Sequence, residues 1–268
     1  MTTWANKEDL SAGRQRPVIL DDSSANTLDR FWFNRPFDFL SGIDPLDKQT
    51  LLDIGEKRSF KKDEIIFNAG SLVDNVFFLL DGRVKIFQLS PIGKEVILWF
   101  CFSGDIFGLA EMLQNQRREV YSQACSDVDV LVIDKNRFKE FLLQHPAVAL
   151  KVVDWLSCRL RELGDVLLNL AADDVTSRVI KLIARLSARY GKQLEDVIHL
   201  DIPLTHQEMA DMIGASRQTV TAVLGKLKRD GALRIENRAI YIQSPDWIES
   251  IAHSGSRPPD SGEKLFTG

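Results

Sequence analysis

The stretch at residues 204–229 constrains the fold more than any other, and it reads LTHQEMADMIGASRQTVTAVLGKLKR. Thr205 and Glu208, three residues apart, have the spacing of a capping box at a helix start. Gly214 suits a turn with a positive φ angle, and Ser216 suits the N-cap of a second helix. This pattern is typical of a helix-turn-helix, whose second helix lies in the major groove of DNA.

The polar face of the second helix carries side chains that suit DNA recognition. Arg217 and Gln218 stand at its start, where arginine can reach guanine and glutamine can reach adenine. Two short apolar runs around residues 236–238 predict a hairpin or wing. The alternative is a surface helical hairpin that binds nothing. The predicted DNA-contacting residues are Thr205, Ser216, Arg217, Gln218, Thr219, Thr221, Lys226, Lys228 and Arg238.

Composition narrows the class of protein. The formal net charge is −4, so positive charge for a DNA partner must be local, as it is near Lys226 and Lys228. The sequence shows neither an apolar run that spans a membrane nor a signal-peptide core, which predicts a cytoplasmic protein without a membrane partner. The three cysteines lack the spacing of a disulfide framework or a metal site. No catalytic constellation stands out, and we expect no enzyme activity.

Residues 59–133 change to short runs of alternating or β-branched residues, separated by recurring turn glycines. This spacing predicts consecutive antiparallel strands that form a β-roll, with helices at its flanks. Before it, Asp44 and Pro45 look like the N-cap and first residue of a short helix. The turn glycines are Gly70, Gly82, Gly93 and Gly104.

A long helix is predicted from Pro146 to about Ala172, because apolar residues recur there by fours and threes as in a heptad seam. One interpretation packs this helix on its own β-roll. A coiled coil of two chains is favoured, since the leucines continue beyond the length that a small roll covers. The predicted dimer interface consists of Val153, Leu156, Leu160, Leu163, Leu167 and Leu170.

The predicted fold is α+β: a double-stranded β-helix or β-roll of the jelly-roll type, a long dimerisation helix and a winged helix-turn-helix. The aromatic run at residues 31–39 is expected to lie on the domain surface or in the dimer interface. The predicted segments are a partly flexible extension (1–43), the sensor roll (44–145), the dimerisation helix (146–172), the DNA-binding domain (173–252) and a disordered tail (253–268).

This order of parts resembles the Crp/Fnr family of bacterial transcription regulators over about Leu51 to Ile242. The most specific pieces are GDIFG at residues 104–108 and IGASRQTV at residues 213–220. The resemblance implies a homodimer that reads a two-fold symmetric operator, with RNA polymerase as a further partner. It also implies an effector at the roll, relayed to DNA through the long helices. Activation and repression both stay open, because operator placement decides between them.

The same resemblance places the effector pocket, where relatives hold a cyclic nucleotide with a Gly-Glu and an Arg-Ser pair. Here Leu109 follows Gly108 in place of the glutamate. Glu111, two residues later, is displaced to a position of the wrong parity for that role, meaning the wrong face, if the segment is extended. Arg117 or Arg118 can attract an anion, while the adjoining Glu119 repels a phosphate. We therefore expect an effector other than cyclic AMP, with a variant nucleotide pocket as the alternative. The candidate pocket residues are Gly108, Leu109, Glu111, Arg117 and Arg118.

Other cofactors and other classes of protein fit less well. An iron–sulfur cluster of the family's kind needs several N-terminal cysteines, and the first cysteine is Cys101. Every histidine follows the roll, which disfavours haem. Cys101 and Cys158 are expected to be buried thiols. A cyclic-nucleotide-binding module without a DNA role is a further alternative, but it has no use for the helix-turn-helix. In cyclic-AMP-binding members Glu replaces Gln218 and Arg replaces Ala222, so we expect a different half-site that keeps the Arg217 contact.

Overall fold

The computed structural model describes residues 38–112, 117–194, 197–200, 202–236 and 239–243. The helices are α1 (Pro45–Ile54), α2 (Lys135–Gln144), α3 (Pro146–Ala172), α4 (Val175–Tyr190), α5 (His206–Ile213) and α6 (Arg217–Arg229). The strands are β1 (Glu56–Phe60), β2 (Ile65–Phe67), β3 (Asn75–Asp81), β4 (Arg83–Leu89), β5 (Glu95–Phe102), β6 (Ile106–Phe107), β7 (Tyr121–Ala124), β8 (Val128–Asp134), β9 (Lys192–Leu194), β10 (Val197–Leu200), β11 (Leu233–Glu236) and β12 (Ala239–Ile242).

Strands β1 to β8 form two antiparallel four-stranded sheets, in the orders β1-β8-β3-β6 and β2-β7-β4-β5. Strand β3 shows how the first sheet is buried on both faces. Phe77 and Leu79 point into the core between the sheets, whereas Val76 and Phe78 point into a second core on the outside. The turn glycines have the positive φ angles that tight connections between strands require. The predicted α+β fold with a β-roll is confirmed.

The outer face of the first sheet is covered by α1, α2 and the start of α3. Asp44 caps α1 by accepting a hydrogen bond from the backbone N–H of Leu46, and Pro45 is the first helical residue, as predicted. Of the aromatic run, Phe39 is 1% exposed, and its ring centroid lies 5.8 Å from that of Phe78. Residues 31–37 of that run and the tail at 253–268 lie outside the described residues.

The outer face of the second sheet is covered by the C-terminal domain. Phe87, Ile97 and Phe100 of this sheet belong to the same apolar core as α4, α5 and α6. In the C-terminal domain, the strands β9 to β12 form a third sheet in the order β11-β12-β10-β9. The sensor roll and the helix-turn-helix of one chain therefore share a continuous core.

Helix α3 has 27 residues and presents two different faces. Val148, Val152 and Trp155 face inward and are buried. The predicted seam faces outward, since Leu160 is 73% exposed and Leu167 is 69% exposed. The interpretation in which this seam packs on its own roll is therefore wrong. Among the described residues, no helix is both long and apolar enough for a membrane span.

Helix α4 ends at Tyr190, and the C-cap residue Gly191 is not in the left-handed conformation. Gly191 has a φ of −70° and a ψ of 143°, which any residue adopts. A Cβ atom added there would lie 2.3 Å from the carbonyl oxygen of Ser187 and 2.5 Å from Cγ2 of Ile198. Glycine is required at this position because strand β10 packs closely against the end of the helix.

Candidate DNA interface and effector pocket

The helix-turn-helix is built by local hydrogen bonds that the sequence specifies. The side chain of Thr205 accepts from the Glu208 backbone N–H at 3.1 Å, and the Glu208 carboxylate accepts from the Thr205 N–H at 2.7 Å. Gly214 ends α5 with a φ of 65°. Ser216 caps α6 by accepting from the backbone N–H of Thr219 at 3.1 Å. These contacts fix the angle at which α6 leaves the turn.

An apolar seam holds α6 against α5 and α4. Ala210 of α5 is fully buried, and its small side chain allows the two helices to approach closely. The buried residues of α6 are Val220, Val223, Leu224 and Leu227. Its exposed residues are Arg217, Gln218, Thr219, Thr221, Ala222, Lys226, Lys228 and Arg229.

The two residues predicted to read bases are unengaged. Within the described part of the chain, the side chains of Arg217 and Gln218 make no hydrogen bond or ion pair, and both are exposed. Helix α6 contains four basic residues and no acidic one between positions 217 and 229. The helix therefore offers a locally positive surface although the chain is acidic overall.

The hydroxyl groups predicted to contact phosphates already form hydrogen bonds within the domain. The hydroxyl oxygens of Ser216 and Thr219 lie 2.8 Å apart. Thr221 donates to the carbonyl of Arg217 at 2.8 Å, and Nδ1 of His206 lies 2.8 Å from its Oγ1. His206 of α5 thereby contacts α6. Arg238 lies outside the described residues.

In the roll, the candidate effector pocket is occupied by Arg118, which is 3% exposed. Its Nη1 donates to the carbonyl of Gly108 at 2.7 Å, and its Nη2 donates to the carbonyl of Asn75. The guanidinium carbon lies 4.3 Å from the centroid of the Phe67 ring and 5.9 Å from that of Phe77. Burial lowers the pKa of Arg118. The side chain thus lies between aromatic rings and main-chain carbonyls.

Glu111 faces Arg118, which the parity argument did not predict. That argument assumed an extended segment, but residues 109–112 form a turn in which the N–H of Met112 donates to the carbonyl of Leu109 at 3.1 Å. The turn directs the Glu111 carboxylate inward, 3.7 Å from Nη1 of Arg118. Glu111 is 6% exposed and Leu109 is 7% exposed. Arg117 is exposed and donates to the carbonyl of Gly70 at 2.7 Å.

An incoming cyclic nucleotide would meet an arginine whose two terminal nitrogens already have partners, while its Nε has none among the described residues. Both terminal nitrogens of Arg118 donate to carbonyl oxygens, so a phosphate would have to displace these bonds. The nearest acidic group, Glu111, already lies beside Arg118. A buried donor that has a good partner gains little by exchanging it for another.

A second polar cluster joins the roll, α3 and α4, and sequence reasoning did not find it. Arg159 contacts Glu162 at 2.8 Å and Asp105 at 3.3 Å, and Arg189 contacts Asp105 at 3.4 Å and also Glu162. Asp105 precedes β6 in the roll, whereas Arg189 is at the end of α4. The four charges form a closed ring at the junction of the sensor, the long helix and the DNA-binding domain.

The cysteines are free thiols. Cys101 is fully buried, as expected, and burial raises its pKa to about 12. Burial likewise raises the pKa of Cys125 to about 11. Cys158 is partly exposed, so the expectation of a buried thiol is wrong there, because it lies to one side of the inward face of α3. The described residues contain no group of three His, Cys, Asp or Glu side chains that could hold a metal ion.

Comparison with known proteins gives two family matches. Residues 57–145 match a cyclic nucleotide-binding domain, and residues 177–251 match a Crp-like helix-turn-helix domain. The chain is 29% identical over 202 residues to the anaerobic regulatory protein of Bacillus subtilis, covering 75% of this chain and 85% of that protein. It is 25% identical over 205 residues to a CRP-like cAMP-activated global transcriptional regulator of Mycobacterium tuberculosis, covering 76% and 92%.

Among solved structures, a mutant of CooA from Carboxydothermus hydrogenoformans shares the fold. Its TM-score is 0.66 at 24% identity, and the alignment covers 76% of this chain and 90% of that one. The order of roll, long helix and helix-turn-helix is therefore found in a protein of known structure. The proteins found in these comparisons are transcription regulators rather than enzymes.

Proposed function

Because the chain belongs to the Crp/Fnr family of DNA-binding transcription regulators, we propose that it reads a two-fold symmetric operator as a homodimer. The observation that carries this proposal is the start of α6. Arg217 and Gln218 are exposed there on a rigid, capped helix, and neither side chain has a partner among the described residues. Arg217 reads a guanine in each half-site and Gln218 reads an adenine.

The basic end of α6 serves a different role from its start. Lys226 and Lys228 lie in the last turn of the helix and are exposed. Lysines there neutralise DNA phosphates, which adds affinity without sequence selectivity. Arg238, which follows β11 in the sequence, is proposed to contact the DNA backbone. Thr205, Ser216, Thr219 and Thr221 support the interface, in part by holding the turn in shape.

The homodimer is supported by the outward face of α3. Val153, Leu160 and Leu167 are 59%, 73% and 69% exposed in the single chain. Apolar residues repeated at heptad spacing bury this surface when two such helices pack together. Leu156 and Leu170 of the predicted seam are 41% and 44% exposed, whereas Leu163 is half-buried. Two chains joined along this outward face place two copies of α6 on opposite half-sites.

The dimer interface is tested by Leu160→Glu, measured by sedimentation velocity. We expect a monomer, because the dimer would bury two facing carboxylates. Leu143→Glu is the matched control, since Leu143 is 75% exposed on α2 and away from the outward face of α3. A Leu160→Glu protein that stays dimeric would remove α3 from the interface.

The operator is tested by selecting sequences from randomised DNA with the purified protein. We expect enrichment of two inverted half-sites whose centres are about one helical turn, or about 10 base pairs, apart. Enrichment of one isolated half-site by the wild-type dimer would contradict a two-fold symmetric operator. The family resemblance further points to RNA polymerase as a partner, and operator position decides between activation and repression.

The roll is proposed to respond to an effector other than cyclic AMP. This is supported by Arg118, whose terminal nitrogens are paired with the carbonyls of Gly108 and Asn75. A cyclic-nucleotide-responsive regulator with a variant pocket is the second candidate. It is favoured by the match of residues 57–145 to a cyclic nucleotide-binding domain and by the cAMP-activated relative.

A further inference from the structure

His206 is the first residue of α5, and its ring contacts α6. The Nδ1 atom of the ring lies 2.8 Å from the Oγ1 atom of Thr221. Thr221 is exposed and lies one turn after Arg217, on the face of α6 that carries the side chains proposed to contact DNA. His206 itself is half-buried, so its ring borders this face rather than the core of the domain.

The hydrogen bonds around Thr221 determine which ring nitrogen of His206 carries a proton. A threonine hydroxyl has one hydrogen, and that of Thr221 donates to the carbonyl of Arg217 at 2.8 Å. The Oγ1 atom therefore accepts the hydrogen bond from His206, and Nδ1 is the donor. Nδ1 carries its proton in both the neutral and the charged form of the ring.

The other ring nitrogen of His206, Nε2, changes its character when the ring is protonated. It forms no hydrogen bond with any described residue, and it is not buried. In the neutral ring, with the proton on Nδ1, Nε2 is an acceptor and is repelled by the oxygens of a phosphate. In the charged ring, Nε2 is a donor that forms a charge-assisted hydrogen bond with a phosphate.

We propose that His206 contacts the DNA phosphate backbone only when its ring is protonated, because Thr221 holds the other ring proton on Nδ1. Operator affinity then rises as the pH falls. The inference rests on the proposed function, since it requires the exposed face of α6 to lie against DNA. In a helix-turn-helix the first helix crosses the DNA backbone, so a side chain of α5 beside Thr221 lies near phosphates. The dimer provides one such contact in each half-site.

The charged groups around His206 leave a DNA phosphate as the anion that favours its protonation. On α5, Glu208 pairs with Arg83 of β4 at 3.1 Å, and the buried Asp211 accepts from a neighbouring glutamine at 2.9 Å. On α6, the turn that contacts the ring contains one charged residue, the exposed Arg217. Among the described residues, no carboxylate forms an ion pair with the His206 ring.

The sign of the pH effect follows from proton linkage. Bound DNA favours the protonated ring, so each half-site takes up a proton and affinity falls as the pH rises. Histidines titrate between about pH 5 and about pH 8. Burial raises the pKa of Cys101 to about 12 and that of Cys125 to about 11, so these thiols stay neutral in that range.

The test is a titration of operator DNA with the full-length protein at about pH 6 and about pH 8, at fixed ionic strength. We expect binding to be at least about tenfold tighter at the lower pH, since the dimer gains two charge-assisted hydrogen bonds. The slope of log affinity against log salt should be steeper by about 2 there, because two more phosphates are neutralised. Affinity independent of pH would overturn the proposal, as would an unchanged salt slope.

His206→Asn assigns the effect to this ring. The asparagine amide can donate to Thr221 from nearly the position of Nδ1, but it has no group in the place of Nε2. We expect this variant to bind at both pH values as the wild type does at about pH 8. His199→Asn is the matched control, because His199 stacks on Tyr241 in the third sheet and should not affect the pH dependence.

A second variant at the same position keeps the test decisive if His206→Asn does not fold. His206→Arg carries a permanent positive charge, and we expect it to bind at both pH values as tightly as the wild type does at about pH 6. Full pH dependence in either folded variant would overturn the proposal.

Thr221→Val tests the assignment of the proton. Without the hydroxyl, Nδ1 of His206 loses its acceptor, and the neutral ring can carry its proton on Nε2 and donate to a phosphate. We expect the ratio of the affinities at the two pH values to fall below that of the wild type. A ratio as large as that of the wild type would contradict the role of Thr221.

The same titrations on unrelated DNA separate this proposal from the proposed function. A phosphate contact acts on any sequence, so we expect pH dependence on unrelated DNA as well. Binding that depends on pH but does not prefer an operator would support the His206 contact and contradict operator reading. Preference for an operator without pH dependence would support the regulator and overturn the His206 contact.

Discussion

Arg217 at the start of α6 and Arg118 at the edge of the roll are both suited to bind phosphates or bases, yet the fold treats them in opposite ways. Arg217 is exposed, and its side chain has no partner among the described residues. Arg118 is 3% exposed and donates to the carbonyls of Gly108 and Asn75. The Arg217 guanidinium is therefore available to a partner molecule, whereas the Arg118 guanidinium is hydrogen-bonded within the chain.

The comparison shows that an arginine in a family's binding region can already be hydrogen-bonded within the chain. An arginine donates through a fixed number of N–H groups, and bonds inside the protein compete with bonds to a ligand. In the roll, Glu111 adds a carboxylate 3.7 Å from the same guanidinium. In α6 no acidic residue stands between positions 217 and 229. The DNA-reading part therefore fits the pattern of the family more closely than the nucleotide-reading part does.

The largest expected effect is on stability, from Arg118→Ala. The substitution leaves the carbonyls of Gly108 and Asn75 without their donor and Glu111 without its charged neighbour. We expect the free energy of unfolding to fall by about 3 kcal/mol, measured by urea denaturation. Arg117→Ala, which removes one exposed hydrogen bond, is the control and should cost less than about 1 kcal/mol. Equal losses for the two variants would show that Arg118 is not structural.

The next effect is on DNA binding, from Arg217→Ala. We expect operator affinity to fall by about 1–3 kcal/mol and selectivity at one base position to relax, with the fold unchanged. The measurement is a binding titration against operators that vary at each position. Arg137→Ala on α2 removes a comparable exposed arginine and should leave affinity as it is. Retention of full affinity by Arg217→Ala would mean that the exposed arginine does not read a base.

The smallest effect separates phosphate contacts from base contacts on the same helix. We expect Lys228→Ala to weaken binding to all sequences about equally and to reduce the slope of log affinity against log salt by about 1. Titrations on operator and on unrelated DNA at several salt concentrations provide the measurement. A loss confined to the operator would instead give Lys228 a role in base reading.

The sequence predicted the features that depend on short separations along the chain. The capping box of Thr205 and Glu208 and the N-cap at Ser216 each need residues only three positions apart. The turn at Gly214 and the bounds of α3 follow from equally local patterns. Strands β1, β7 and β9 were not predicted, because they are short, polar or exposed and lack alternating apolar residues.

Features that depend on tertiary structure could not be predicted from local sequence patterns. The side on which Glu111 lies could not be predicted without knowing that residues 109–112 form a turn. In an extended segment, the alternation of side chains would direct Glu111 away from the pocket. The ring of Asp105, Arg159 and Arg189 joins residues 54 and 84 positions apart in the chain. No periodic pattern connects such positions, so their pairing became visible only in the folded chain.

The most direct test of the contrast between α6 and the roll is operator binding with and without cyclic AMP. The purified protein is titrated against its selected operator at fixed salt, and each titration is repeated with saturating nucleotide. We expect specific binding of equal affinity in both series, because Arg118 is held by the chain itself. A strong rise in affinity with cyclic AMP would contradict this account, and would show that Glu111 and Arg118 rearrange into a working nucleotide site.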